Sequence, residues 1–130
     1  MKRLRLGIIG GGPGSWIGHV HRIASRFDDK FKIVSGVFSR NHKINQSFGN
    51  SIGLKKDRCY KNYKELCLAE KKRKDGIEVV AIMTPPGSHQ EIAEFFIKFP
   101  FENFFSCCWG NFFSVRPVLN IFNIYIFNIP

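Results

Sequence analysis

Carboxylates are scarce in this chain: 10 Asp and Glu stand against 20 Lys and Arg, for a formal net charge of +10 over 130 residues. Such an excess ordinarily points to nucleic acid or an anionic membrane, because clustered cations neutralise phosphates and release counterions. Here the cations are spread over helical segments, at Lys55-Lys56, Lys61, Lys64 and Lys71-Lys72-Arg73-Lys74. No helix-turn-helix, zinc-finger or RNP-type signature accompanies them, so they read as solvated surface and no specific nucleic acid is expected as a partner. Cysteine is also sparse. Cys59, Cys67, Cys107 and Cys108 form no C-x-x-C pair and no Cys/His ligand spacing, which argues against a metal site and for free thiols in a reducing cytoplasm. Long apolar runs are missing too. The run after Met1-Lys2-Arg3-Leu4-Arg5 covers about five residues and ends in glycines, too short for a signal peptide. Val118 to Ile129 covers about twelve, broken by Asn120, Asn123 and Asn128, against the roughly 20 that a spanning helix needs. Neither an export signal nor a membrane span is expected, and the length leaves room for one domain but not for a two-domain dehydrogenase.

A literal G-x-G-x-x-G is absent as well. What stands in its place is Leu4 to Arg22, LRLGIIGGGPGSWIGHVHR, in which a short apolar run meets Gly10, Gly11, Gly12 and Gly14 and a helical stretch opens between Ser15 and Gly18. Strand, glycine turn and helix in that order begin a mononucleotide-binding βαβ unit. The glycines allow a tight turn and a close backbone approach to a pyrophosphate, and the helix N-terminus offers free N–H groups and a positive dipole end. From Gly10 and Gly12 the next suitable glycine is Gly18, which predicts an expanded turn through Pro13-Gly14-Ser15-Trp16-Ile17.

The spacing predicts a helix over Ile17 to Phe27 with Ile17, Val20, Ile23, Ala24 and Phe27 as an apolar stripe packed on a sheet. Phe31 to Ser39, β-branched and aromatic, is the second strand. At its end a carboxylate would hold the ribose 2′-hydroxyl of NAD, whereas an arginine would accept the 2′-phosphate of NADP. Ser39-Arg40-Asn41 contains no acid and leans to NADP(H), with an N-cap and a surface arginine as the bland alternative. Lys43 to Ile52 reads as a helix closed by Gly53, Asp57 to Tyr60 as a short third strand, and Asn62 to Lys74 as a helix ended by Asp75-Gly76. Ile77 to Thr84, apolar on both faces, is a central parallel strand, followed by Pro85-Pro86-Gly87-Ser88-His89 and a helix over Gln90 to Lys98. The expected class is α/β, a partial doubly wound, Rossmann-like sheet of about four parallel strands. Ligands of such sheets sit outside the carboxyl ends of the strands. That rim collects Gly10, Gly12, Gly14, Trp16, Ile17, Ser39, Arg40, Thr84, Pro85 and His89 as the candidate cofactor-binding residues.

These features resemble one family, the glucose-fructose oxidoreductase and inositol dehydrogenase (Gfo/Idh/MocA) family. The resemblance rests on Leu6 to Gly12, Gly18-x-x-His21, Tyr60-x-x-Tyr63-x-x-Leu66 and Val80-Ala81-Ile82-Met83-Thr84-Pro85-Pro86-Gly87-Ser88-His89, and covers about residues 4 to 98. It implies an NAD(P)-binding domain of a sugar or polyol oxidoreductase, followed in the family by a strand ending in Glu-Lys-Pro and by a substrate domain. No Glu-Lys-Pro occurs here and residues 99 to 130 contain no lysine. His21 and His89 are the remaining proton carriers, and at their motif positions they read as supports of the helix and the loop. No catalytic residue is therefore assigned. The expected function is a dinucleotide-binding N-terminal fragment without activity of its own, or alternatively a free-standing binding module.

Residues 1 to 98 are accordingly expected to form the binding domain, and 99 to 130 an irregular, aromatic-rich tail with only Glu102 and Arg116 charged. The abrupt change at Lys98 is what translation in a different reading frame would produce, with a terminal strand pair as the rival reading. If strands beyond Ile77 to Thr84 are absent, that apolar strand becomes an open edge that favours self-association, with Ile121 to Ile129 pairing there by default.

Overall fold

The computed structural model describes residues 2–27 and 29–98. The expectations placed on residues 99–130 lie outside them. Within them the order is β1 (Leu4–Gly10), α1 (Trp16–Phe27), β2 (Phe31–Val37), α2 (His42–Ser51), a 3-10 turn at Lys56–Arg58, α3 (Tyr63–Lys71), β3 (Val79–Met83) and α4 (Pro86–Lys98). The strands form a parallel sheet in the order β2-β1-β3, with Leu6 opposite both Ile33 and Val79. This is the partial doubly wound α/β sheet expected, with β1 central.

Strand alternation divides the apolar residues between two cores. Ile9, Val80 and Ile82 point to the face covered by α3 and α4 and pack with Leu66, Cys67, Ile92 and Phe96. Leu6, Ile8, Val79, Ala81 and Met83 point to the opposite face, where Phe38, Leu54 and Cys59 join them with half-buried Phe48 and Ile52. β3 is buried along its whole length, which is why its sequence shows no polar alternation. Among the described residues no strand pairs with its outer edge.

The expected strand Asp57 to Tyr60 does not form. It is replaced by the 3-10 turn and a single parallel bridge between Gly36 and Cys59. The cause is Arg58, whose side chain turns inward to Glu70 instead of alternating across a sheet. Glu70 is almost wholly buried and accepts from Arg58 Nε at 3.1 Å, Arg58 Nη2, Tyr60 Oη at 2.8 Å and the Ile77 N–H at 3.1 Å. Asp75 holds Arg58 from the other side at 3.1 Å. The network fastens the segment leading into α3 and the approach to β3 to one carboxylate near the end of α3. Burial, the Glu70 hydrogen bond and the Glu70 charge push the Tyr60 hydroxyl well above its usual range.

A second expectation fails at α1. Its apolar stripe does not face the sheet: Val20, Ile23 and Phe27 are 37%, 55% and 91% exposed, and Ala24 is exposed as well. The helix instead buries Gly18 and Arg22, one turn apart, with Ser25 half-buried on the same face. The physical reason lies in the glycine turn. A Cβ on Gly18 would stand 2.2 Å from the Gly11 carbonyl oxygen, so backbone meets backbone there and the Gly18 face must be the inner one. The final helix also begins earlier than expected, at Pro86. Proline is suited to the first helical position, where its missing N–H costs nothing.

Candidate functional site

The turn after β1 is built from glycines doing different jobs. Gly10 has φ +85° and a Cβ there would lie 2.6 Å from the Met83 carbonyl oxygen, so it lets β1 and the end of β3 approach. A Cβ on Gly12 would stand 2.0 Å from the Phe38 carbonyl oxygen, which makes Gly12 the contact between the turn and the end of β2. Gly14 has φ +76° and nothing within 4 Å of where a Cβ would be. It alone of these faces open space. Ser15 then caps α1, its Oγ accepting from the Gly18 N–H at 3.1 Å. An α-helix leaves its first N–H groups without intrahelical acceptors, and this cap satisfies only one of them.

The other two strand ends are fixed by buried polar groups. Asn45 on α2 is fully buried, accepts from the Phe38 N–H at 2.7 Å and donates to the Tyr60 carbonyl at 2.6 Å. It thereby sets where β2 stops. Ser39 Oγ accepts from the Asn41 N–H at 3.1 Å, and Asn41 Oδ1 caps α2 through the N–H groups of Lys43 and Ile44. Arg40, between them, is exposed, and among the described residues it takes part in no ion pair. Beyond β3, Ser88 Oγ bonds Thr84 Oγ1 at 2.9 Å, and His89, itself buried, donates from Nε2 to the Thr84 carbonyl. His89 thus braces the loop from within α4.

A groove of about 560 Å³ opens where these strand ends meet, lined by Gly10, Gly11, Ser15, Ile17, Phe38, Met83, Thr84, Pro85 and Pro86. Of the residues singled out in the sequence, Gly10, Ile17, Thr84 and Pro85 line it. Gly12 packs on lining Phe38 and His89 bonds lining Thr84, while Gly14 and exposed Trp16 flank lining Ser15 in the chain and Ser39 and Arg40 follow Phe38. The candidate residues read from the sequence did not include Gly11, Ser15, Phe38, Met83 and Pro86 of its lining, nor Arg22. That arginine, 9% exposed, donates to the Gly11 carbonyl and lies over the Phe48 ring, 4.9 Å from its centroid. Its place four residues after Gly18 was the available signal, since the two must share a helix face. Among the described residues no group of His, Cys, Asp or Glu could hold a metal ion, and no helix is long and apolar enough to cross a membrane.

A parallel sheet whose glycine turn, β2 end and β3 end converge on one groove defines a mononucleotide-binding α/β unit of the dehydrogenase type. The sequence matches the profile of the Gfo/Idh/MocA oxidoreductase family, NAD-binding Rossmann fold, over residues 4–100, and the chain belongs to that family as its NAD-binding domain. It is 43% identical over 94 residues to the uncharacterized oxidoreductase YfiI of Bacillus subtilis (strain 168), covering 72% of this chain and 24% of that protein. Among solved structures, an oxidoreductase from Sinorhizobium meliloti superposes with a TM-score of 0.74 at 40% identity, over 82% of this chain and 29% of that one. An inositol dehydrogenase homologue from Azotobacter vinelandii, complexed with NAD+, gives a TM-score of 0.73 at 35% identity, over 75% of this chain and 25% of that one. The chain thus spans about a quarter of the length of these relatives.

Proposed function

We propose that this chain binds a nicotinamide dinucleotide in the groove at the strand ends, with its pyrophosphate against the Gly10 to Gly18 turn and its adenosine ribose at Ser39-Arg40. Thr84 and Pro85 then flank the path toward the nicotinamide, with His89 bracing them. The observation that carries this reading is the convergence of β1, β2 and β3 on that one groove. The residues fit the ligand: Gly14 leaves open space at the turn, and the first turn of α1 offers N–H groups and a positive dipole end to phosphates. NADP(H) is favoured over NAD(H), because the β2 end offers the exposed Arg40 guanidinium, in no ion pair among the described residues, and no acid to hold a 2′-hydroxyl.

The dinucleotide supplies hydride chemistry when bound; residues 2–98 supply its binding and orientation. Turnover is assigned to what surrounds such a domain in longer relatives, since no Glu-Lys-Pro segment occurs in this sequence. A relative solved with NADH and myo-inositol supports a sugar or polyol as the substrate class of the whole oxidoreductase. Buried, unpaired Cys59 and Cys67 suit a reducing compartment such as the cytoplasm. The outer edge of β3 is the surface through which copies of this domain would associate.

Calorimetric titration of the full chain and of Arg40→Ala with NADPH and NADH tests this reading. Arg40→Ala should weaken NADPH binding by about 1 to 3 kcal/mol and leave NADH nearly unchanged, because the charge-assisted contact exists only with the 2′-phosphate. Equal losses for both cofactors would refute the ribose assignment.

A further inference from the structure

The inner face of α1 carries a residue that a structural helix has little reason to keep. Arg22 is nine-tenths buried, yet among the described residues no carboxylate pairs with it. Its partners are the Gly11 carbonyl and the face of Phe48. Every other buried charged group of the described residues is treated differently. Arg58 and Glu70 are buried against each other, with Asp75, Tyr60 and the Ile77 N–H completing their hydrogen bonds. A buried cation without an anion is expensive, and proteins ordinarily pair or delete it. Burial lowers the Arg22 pKa, and the nearby charge of Arg26 disfavours its charged form further.

Two observations say where the missing anion belongs. Arg22 holds the Gly11 carbonyl, and Gly11 lines the groove at the strand ends. The same peptide unit that accepts from Arg22 carries the Gly12 N–H at its other end, within the turn. A cation on the carbonyl polarises that peptide and strengthens its N–H as a donor, because hydrogen bonds in a chain reinforce one another at low dielectric. Gly18, one turn before Arg22, brings the helix against Gly11 closely enough for this contact to form.

We propose that Arg22 is a positioning residue for the phosphates of the bound dinucleotide: it fixes the Gly11–Gly12 peptide from behind and supplies the positive charge that the ligand's pyrophosphate balances. This rests on the groove being the dinucleotide site and adds the residue that makes the turn selective for phosphate. Arg22 need not touch the ligand, since its effect passes through the Gly11 carbonyl.

The test compares the full-length wild type, Arg22→Met and Arg22→Lys by ligand-observed NMR titration with NADPH, NADH, inorganic pyrophosphate and adenosine, with circular dichroism to verify folding. Arg22→Met should lose about tenfold or more in affinity for NADPH, NADH and pyrophosphate while adenosine changes less than about twofold, as the loss of one charge-assisted contact implies. Arg22→Lys, which keeps the charge, should recover part of that loss, and where Arg22→Met is too unstable to measure it should itself bind the three phosphate ligands more weakly than wild type but by less than about tenfold, with adenosine unchanged. A parallel loss of adenosine affinity would show a merely structural role and overturn the proposal, as would unchanged pyrophosphate affinity in both variants. A wild type that binds none of the phosphate ligands would instead overturn the site assignment on which the proposal stands.

Discussion

Gly12→Ala and Gly14→Ala separate the two reasons for a glycine in the turn after β1, and the structure gives each a size. An alanine Cβ at position 12 would sit 2.0 Å from the Phe38 carbonyl oxygen. Carbon–oxygen contacts rarely close below about 3.3 Å, so roughly 1.3 Å of movement is needed between the turn and the end of β2. The resisting atom is backbone, tied down by the 2.7 Å bond from the Phe38 N–H to Asn45. Overpacking against such a neighbour belongs at the upper end of the usual range, about 3 kcal/mol. At position 14 there is no clash, only φ +76°. A non-glycine residue there costs about 1 to 2 kcal/mol, and Asn, which tolerates that conformation, less. Urea unfolding of the full chain followed by circular dichroism should therefore rank wild type, Gly14→Asn, Gly14→Ala and Gly12→Ala in falling stability. For a domain of this size each kcal/mol is about 4 to 8 °C in Tm, so the two alanines are resolved easily. If Gly12→Ala were no more destabilising than Gly14→Ala, the assignment of Gly12 to packing against β2 would be refuted.

Glu70→Ala removes a carboxylate that receives Arg58, Tyr60 and Ile77 and leaves Arg58 buried against Asp75 alone. A loss of about 3 to 5 kcal/mol is expected in the same urea assay, with most of it restored in Arg58→Met/Glu70→Leu; a loss below about 1 kcal/mol would contradict the network. Burial raises the Cys67 thiol from 9.0 to about 11. Its contribution to stability is therefore complete below pH 9.0 and is lost as pH rises through about 11. Cys67→Val should flatten that alkaline decline, and an unchanged decline would place its origin elsewhere. Ile23→Glu/Phe27→Glu changes residues exposed on α1 and should leave stability in the same urea assay within about 0.5 kcal/mol of wild type. Loss of folding in this variant would mean that the stripe is buried after all.

The strands and the groove were legible because their signals are local and redundant. β3 reads as an unbroken apolar run because α3, α4 and the opposite core bury both its faces, and the Gly10 to Gly18 turn announces itself by composition. α1 was misread because its apolar stripe is genuine but faces outward. Periodicity reports that a helix has two faces, and only the Gly11–Gly18 backbone contact decides which is inside. The strand expected at Asp57 to Tyr60 failed for a non-local reason, since Arg58 answers to Glu70, twelve residues later, and no window of strand length contains both. Asn45 and Arg22 were invisible as supports of the strand ends on similar grounds. A polar residue in a helix reads as solvent-facing until the carbonyl or N–H it serves, at Gly11 or Phe38, is seen beside it.

Amide chemical-shift mapping of the isotopically labelled full chain, titrated with NADPH, tests the central claim most directly. Binding as described should concentrate the perturbations at Gly10 to Gly18, Phe38 to Asn41 and Thr84 to His89, the segments that meet at the carboxyl ends of β1, β2 and β3. Perturbations centred instead on the lysine-rich stretch from Lys71 to Lys74, or scattered over the surface without saturation, would contradict it.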